Sequence, residues 1–391
     1  MSSANDLTLL NDFLSPVDSA TIEANHALNP YLMGANIQYF DGQELPNIEA
    51  TRIAIIGVSE QRNVVNNHGT ADAPQKVKQE FYQLSAFNDY TKIIDMGEIK
   101  AGATPKDTYF GLAKVCSILL KLGMIPVVIG GSNDCAYGHF MGYQEQEQDI
   151  HYVHVDARLD LSFLQEDILA NTFLSNVITH KPNYLKHFQL LGYQSYLLDY
   201  NLMKVLGQLK FDATRLGALQ EDWKEMEPHV RDADLVTIDI SAVRASEAPG
   251  NGNASPNGFF GDEICAMARY AGMSDRVSSF GIYEINPHLD LRNTTAQLAA
   301  QMIWYFIDGV LHRVADYPII NENDFIHYHL MMEDTGEQMQ FLKSRKSSRW
   351  WIKAKLPGSE RHKLIPCSYQ DYLMATRNEL PERFLKGLEL M

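Results

Sequence analysis

His151-Tyr-Val-His-Val-Asp-Ala-Arg-Leu-Asp160 is the stretch on which the reading of this 391-residue chain turns. Its first half alternates as in a buried strand, and side chains two apart on a strand share a face. If strand geometry runs through its end, Asp156, Arg158 and Asp160 project into one space. Two carboxylates flanking a nitrogen ligand would hold a metal ion, whereas two flanking a guanidinium make a salt-bridged cluster. His151 and His154 are three apart and are expected on opposite sides of the strand. Both read as ordinary core or surface histidines, as does His139.

Working outward, apolar strand-like runs alternate with amphipathic helical stretches. Strands are expected at 52–58, 92–96, 125–129, 150–155, 188–191, 235–240 and 277–283. Helices are expected at 74–84, 108–122, 138–146, 197–206, 261–271 and 294–309, the second ending at Gly123 as a natural C′ residue. Strands apolar on both faces, alternating with helices, argue a parallel sheet covered on both sides. In such folds reactive groups gather at the carboxyl ends of the strands. The chain divides into an N-terminal extension (1–48), an α/β domain (49–314) and a C-terminal extension (315–391).

Composition narrows the function classes. Forty-nine acidic against 33 basic side chains give a net charge of −16, so nonspecific binding to nucleic acid or to an anionic membrane is not expected. The start, Met1-Ser-Ser-Ala-Asn-Asp-Leu, has neither the basic region nor the apolar run of a signal peptide. Cys116, Cys135, Cys265 and Cys367 are far apart and lack CxxC spacing, which suits reduced thiols in a cytoplasmic protein. Lys343-Ser-Arg-Lys-Ser-Ser-Arg-Trp-Trp-Ile-Lys-Ala-Lys355 interleaves basic and aromatic residues. Its expected form is a β-hairpin or edge strand with Trp350 or Trp351 packed on the acidic main body, not a single-strand binding face.

Four strand-end segments carry the functional argument: Gly130-Gly-Ser-Asn-Asp134, Asp156-Ala-Arg-Leu-Asp160, Thr237-Ile-Asp-Ile-Ser241 and Gly281-Ile-Tyr-Glu-Ile-Asn-Pro287. In order and spacing they resemble the signature segments of the ureohydrolases, the arginase, agmatinase and formimidoylglutamase family. Gly57-Val-Ser-Glu60 and Asn66-Asn-His-Gly69 look like that family's early active-site loop. The resemblance covers about residues 50 to 310. Pro366-Cys-Ser-Tyr-Gln-Asp-Tyr-Leu373 looks like an extension found in a bacterial arginase-like subgroup. The resemblance implies an arginase-like three-layer α/β/α sandwich with a mainly parallel central sheet, and a homo-oligomer.

Family members bind two manganese ions through six side chains, and only half of those positions keep their ligand here. Asn133 and Arg158 stand where histidines would be, and Ser241 where the last aspartate would be. Asp156, Asp160 and Asp239 remain, and Glu284 matches the glutamate that orients a guanidinium-like substrate. Arginine has no lone pair to offer a metal and is not deprotonated in proteins. Binuclear manganese is therefore not expected. The alternatives are no cofactor, or one weakly bound divalent cation (Mn, Mg or Ca), since an oxygen-rich set suits hard ions.

Two functions remain open on this reading. One is a catalytically impaired or non-catalytic homologue that binds a small molecule or acts as a scaffold. The other is a formimidoylglutamase- or arginase-like hydrolase of linear amidine C–N bonds using a residual metal site. A small anionic ligand fits either, because Arg158 would attract carboxylates and repel a cationic headgroup. Asp156 and Asp160 are expected to salt-bridge with Arg158, with Glu284 pairing with it or orienting a ligand amine.

Overall fold

Strands apolar on both faces need cover on both faces, and the fold supplies it. The structure, a computed structural model, describes residues 9–42, 51–87, 93–162, 167–318, 322–332, 338–355 and 362–389. The first seven residues, examined above for a targeting signal, lie outside that set. In chain order the main-sheet strands are β1 (Leu14–Ser15), β2 (Gln38–Tyr39), β3 (Ile53–Gly57), β4 (Ile93–Ile99) and β5 (Ile125–Ile129). They continue as β6 (Ile150–Val155), β7 (Leu185–Tyr193), β8 (Asp212–Arg215), β9 (Leu235–Asp239) and β10 (Ser279–Tyr283). The spatial order is β1-β4-β3-β5-β10-β9-β6-β7-β8, with β2 also pairing with β4. Every pairing is parallel except that of β1 with β4.

Alternate residues of each strand serve different cores. Ile53 and Ile55 join the helices Ala73–Tyr82, Gly261–Met273 and Thr294–Leu311 on one face. Ala54 and Ile56 join Pro105–Lys121 and Cys135–Gln144 on the other. This is the expected three-layer α/β/α arrangement. The helix Pro105–Lys121 begins earlier than its periodicity suggests, because Thr104 and Asp107 form a capping box ahead of Pro105. Gly123 follows it with φ +73°, as a C′ glycine should. Three strands lay outside the sequence expectation: β8, and β1 and β2, which with two residues each bring the N-terminal extension onto the sheet edge at β4.

The order of the strands places the site. β5, β10, β9 and β6 are consecutive neighbours, so their carboxyl ends form one row. The four segments singled out in the sequence lie at these ends: Gly130–Asp134 and Asp156–Asp160 follow β5 and β6 directly, and Thr237–Ser241 and Gly281–Pro287 run off the last residues of β9 and β10.

Beyond the helix Thr294–Leu311, β11 (Phe325–Met331), β12 (Gln338–Ser344), β13 (Trp350–Lys355) and β14 (His362–Cys367) form a separate antiparallel sheet in that order. β13 is an interior strand rather than an edge, and its two tryptophans point oppositely. Trp350 packs among Tyr328, Tyr369 and Tyr372. Trp351 lies under the guanidinium of Arg231, which is 4.6 Å from the ring centroid. Arg231 comes from the main domain, donates to the carbonyls of Trp350 and Cys367, and pairs with Glu227. Removing this buried cation would take a charged donor from those carbonyls where the main domain meets β13 and β14. Arg231→Ala should lower unfolding free energy by about 3–5 kcal/mol in urea titrations, and a loss below about 1 kcal/mol would contradict the joining role assigned to it.

Candidate metal centre

After β5 the chain must pass close to its neighbours, and glycine permits it. A Cβ on Gly130 would sit 2.0 Å from Tyr283, and one on Gly131 would sit 1.9 Å from the Glu60 carbonyl oxygen. The backbone N–H of Asn133 then donates to Glu284 Oε1 at 2.8 Å. Asn133 Nδ2 donates to Asp160 Oδ2 at 3.0 Å, while its Oδ1 is buried with no hydrogen-bond partner. Asp134, next in sequence, turns away and accepts from the Tyr109 hydroxyl.

From β6 come His154, Asp156, Arg158 and Asp160. Asp156 Oδ1 accepts from the Arg158 backbone N–H at 3.1 Å and from Ser241 Oγ at 3.2 Å. Its Oδ2 is buried and unpartnered. From β9, Asp239 Oδ1 accepts the Ser241 N–H at 2.7 Å. After β10, Glu284 sits in the left-handed region at φ +66°. Its Oε2 accepts from Asn67 Nδ2 at 2.7 Å. Asn67 Oδ1 in turn accepts from Asn286 Nδ2 and the Gly252 N–H, tying the early loop to the closing segment.

Asp156, Arg158, Asp160, Asp239, Ser241 and Glu284 all line one cavity of about 130 Å³. That volume takes an ion and a reacting headgroup but not a whole ligand, given pockets of roughly 300 Å³ or more for drug-sized molecules. Larger clefts of about 540 to 610 Å³ lie elsewhere, and none is lined by these carboxylates.

Three corrections to the sequence reading follow. Arg158 does not form the expected salt bridges: its guanidinium pairs with none of the four carboxylates, and its Nη1 is buried without a partner. Glu284 pairs with Asn67 and the Asn133 backbone instead of with Arg158. His154 is buried as a core residue would be, yet it belongs to the site. Its Nε2 lies 3.7 Å from Asp156 Oδ2, and the ligand atoms of His154, Asp156 and Asp160 all fall within 4.8 Å of one another. The period of two already put 154 on the face of 156, and that signal would have found it. Asp239 shares the cavity but stands outside this compact group. His139 does behave as a core histidine, bonded to Tyr283 and Ser279. His151 sits at the opposite end of β6, on a different cleft.

Without a paired cation the carboxylates raise one another's pKa. Burial, then repulsion from Asp156 and Asp239, pushes Asp160 well above the usual carboxylate range. Burial, then Asp156 and Glu284, does the same to Asp239. Burial foremost raises Glu284 to about 7. The donor set fits one divalent ion: two orphaned buried acceptors, Asn133 Oδ1 and Asp156 Oδ2, join unneutralised carboxylates. Arg158, in the same cavity, carries a fixed charge and offers no lone pair to an ion.

The family can now be stated. The arginase family model matches residues 51–308, and the chain belongs to the arginase family. Among curated relatives, formimidoylglutamase of Staphylococcus haemolyticus is 23% identical over 287 residues, covering 69% of this chain and 91% of its own. Formimidoylglutamase of Streptococcus gordonii is 25% identical over 281 residues, covering 67% and 85%. Trypanosoma cruzi formiminoglutamase, solved with manganese, superposes with TM-score 0.63 at 20% identity over 69% of this chain and 97% of its own. Formimidoylglutamase of Bacillus subtilis gives 0.64 at 20% identity, over 71% and 91%.

The raised Glu284 pKa has a stability consequence. Between pH 4.5 and about 7 the folded state keeps a proton that the unfolded chain releases. Stability contributed by that proton is present at low pH and lost as pH rises. In metal-stripped protein, the stability of wild type minus that of Glu284→Gln should therefore fall between pH 5 and 7, by up to about 1.4 kcal/mol per pH unit. A difference that stays flat or rises across that range would contradict a raised Glu284.

Proposed function

We propose that the chain is a formimidoylglutamase-like hydrolase of a linear amidine that bears a carboxylate, working from one divalent cation instead of two. The observation that carries this reading is the charge of the cavity. Four buried carboxylates face a single guanidinium, leaving three negative charges uncompensated when all are ionised. One divalent ion reduces that excess to one. A pair would reverse its sign and crowd Arg158, at a cost of ~4 kcal/mol per like-charge contact at intermediate dielectric.

Asp156, Asp160 and Asp239 would hold the ion, with Asn133 Oδ1 as a neutral donor. Bound there, it would acidify water and stabilise negative charge on the oxygen that attacks the amidine carbon. The remaining roles belong to the chain's own groups. Glu284, fixed by Asn67 and the Asn133 N–H, has lone pairs left to orient the amidine nitrogens. Arg158, with Nη1 unpartnered, would attract the substrate's carboxylate and disfavour a guanidinium headgroup. The names of the curated relatives support formimidoylglutamate as the substrate to try first.

A second reading is supported by the resemblance of the strand-end segments, by which Asn133, Arg158 and Ser241 stand where family members carry ligands. On that reading the metal site is degenerate, and the protein binds a small anionic molecule without turning it over. Release of formamide from formimidoylglutamate, measured with and without added manganese, separates the two. The first reading expects metal-dependent turnover, lost at least 100-fold in Asp156→Asn, and no turnover of arginine or agmatine. No turnover with any divalent ion would leave the non-catalytic reading. Restoring the three altered positions together (Asn133→His, Arg158→His, Ser241→Asp) should raise manganese stoichiometry from one to two per chain. Unchanged stoichiometry would contradict the assignment of these three positions to metal ligands.

A further inference from the structure

His154 is the side chain near the carboxylates whose presence the sequence pattern does not require. It leaves β6 on the same face as Asp156, with its ring fully buried beneath the strand end. Nδ1 lies 2.7 Å from Thr237 Oγ1 on the adjacent strand β9, and Tyr152 hydroxyl is 2.8 Å from that same oxygen. Nε2 faces the other way, 3.5 Å from Asn133 Nδ2 and 3.7 Å from Asp156 Oδ2.

The surrounding donors fix the tautomer. Asn133 Nδ2 donates to Asp160 Oδ2, which settles the orientation of its amide and presents a second proton towards His154. A proton on Nε2 would meet that N–H head on. The arrangement that avoids this clash has Nδ1–H donating to Thr237 Oγ1, with the Nε2 lone pair facing Asn133 Nδ2 and Asp156 Oδ2. A metal-binding histidine is held in the same way, its far nitrogen anchored by an oxygen acceptor.

We propose that His154 Nε2 is a ligand of the cation, replacing as nitrogen donor the histidine absent at Asn133. The inference rests on the one-cation reading above and adds the ion's chemical class. Donors at about 2.0–2.2 Å from a first-row ion stand roughly 3–4.4 Å apart; His154 Nε2 and Asp156 Oδ2 are 3.7 Å apart, and the ligand atoms of His154, Asp156 and Asp160 all lie within 4.8 Å of one another. Independent support comes from Asp156 Oδ2, an acceptor buried on a side chain only 1% exposed, with no partner in the protein. An imidazole nitrogen shifts preference from magnesium and calcium towards manganese, iron, cobalt and zinc. The site therefore takes a transition ion through one nitrogen and several oxygens, with Thr237 as the positioning residue behind the nitrogen.

Titration of the metal-stripped full chain with Co²⁺ and, separately, Ca²⁺ tests this. Wild type should bind Co²⁺ at least tenfold more tightly than Ca²⁺. His154→Gln should weaken Co²⁺ at least tenfold while changing Ca²⁺ less than threefold, and the retained Ca²⁺ binding certifies the fold. Thr237→Val should weaken Co²⁺ by about tenfold through loss of the anchor. Equal Co²⁺ affinity in wild type and His154→Gln would overturn the nitrogen-ligand assignment and leave the one-cation reading standing. Failure of wild type to bind either ion would overturn both. If His154→Gln binds neither ion, His154→Ala and Thr237→Val decide: unimpaired Co²⁺ binding by both overturns the assignment, and selective loss in either supports it.

Discussion

Repulsion among buried carboxylates is the constraint around which this site is built. Asp156, Asp160, Asp239 and Glu284 converge because β5, β10, β9 and β6 are neighbours and each delivers its polar residues just past its carboxyl end. The apolar faces of those strands are buried on both sides, so the convergence is imposed by the core. The fold holds negative charge together out of water, and the cost appears as raised pKa values. Either protons or a cation must relieve it, and near neutral pH a bound cation relieves it more completely.

Arg158 changes the nature of that relief. A guanidinium inside an acidic cavity would ordinarily close on the nearest carboxylate, yet Asp156 instead accepts from Ser241 and from the Arg158 backbone. The side chain is left as a fixed positive charge with an unspent donor at the cavity wall. On the proposed reading that charge disfavours a second ion and gives a substrate carboxylate a donor to meet.

The sequence made the layered fold legible because its apolar runs lack alternation, which only a sheet covered on both sides explains. Its four polar strand ends were legible as one site because each follows such a run directly. The two-residue strands β1 and β2 were not, since nothing so short carries a period. The pairing of Arg158 was misjudged because spacing along a strand gives direction but not reach, and a long side chain need not meet its sequence neighbours. His154 was passed over because it was weighed against His151 instead of against Asp156, two residues on and on its own face. Its partner Thr237 comes from another strand, 83 residues away in sequence, and only the β6–β9 pairing brings them together.

Anomalous diffraction from crystals soaked in manganese tests the central claim most directly. The account predicts one peak per chain, among His154, Asp156 and Asp160, with the Arg158 guanidinium still beside the cavity. Two peaks bridged by Asp156 and Asp239, with Arg158 displaced outward, would contradict it, as would crystals with intact carboxylates and no peak at all.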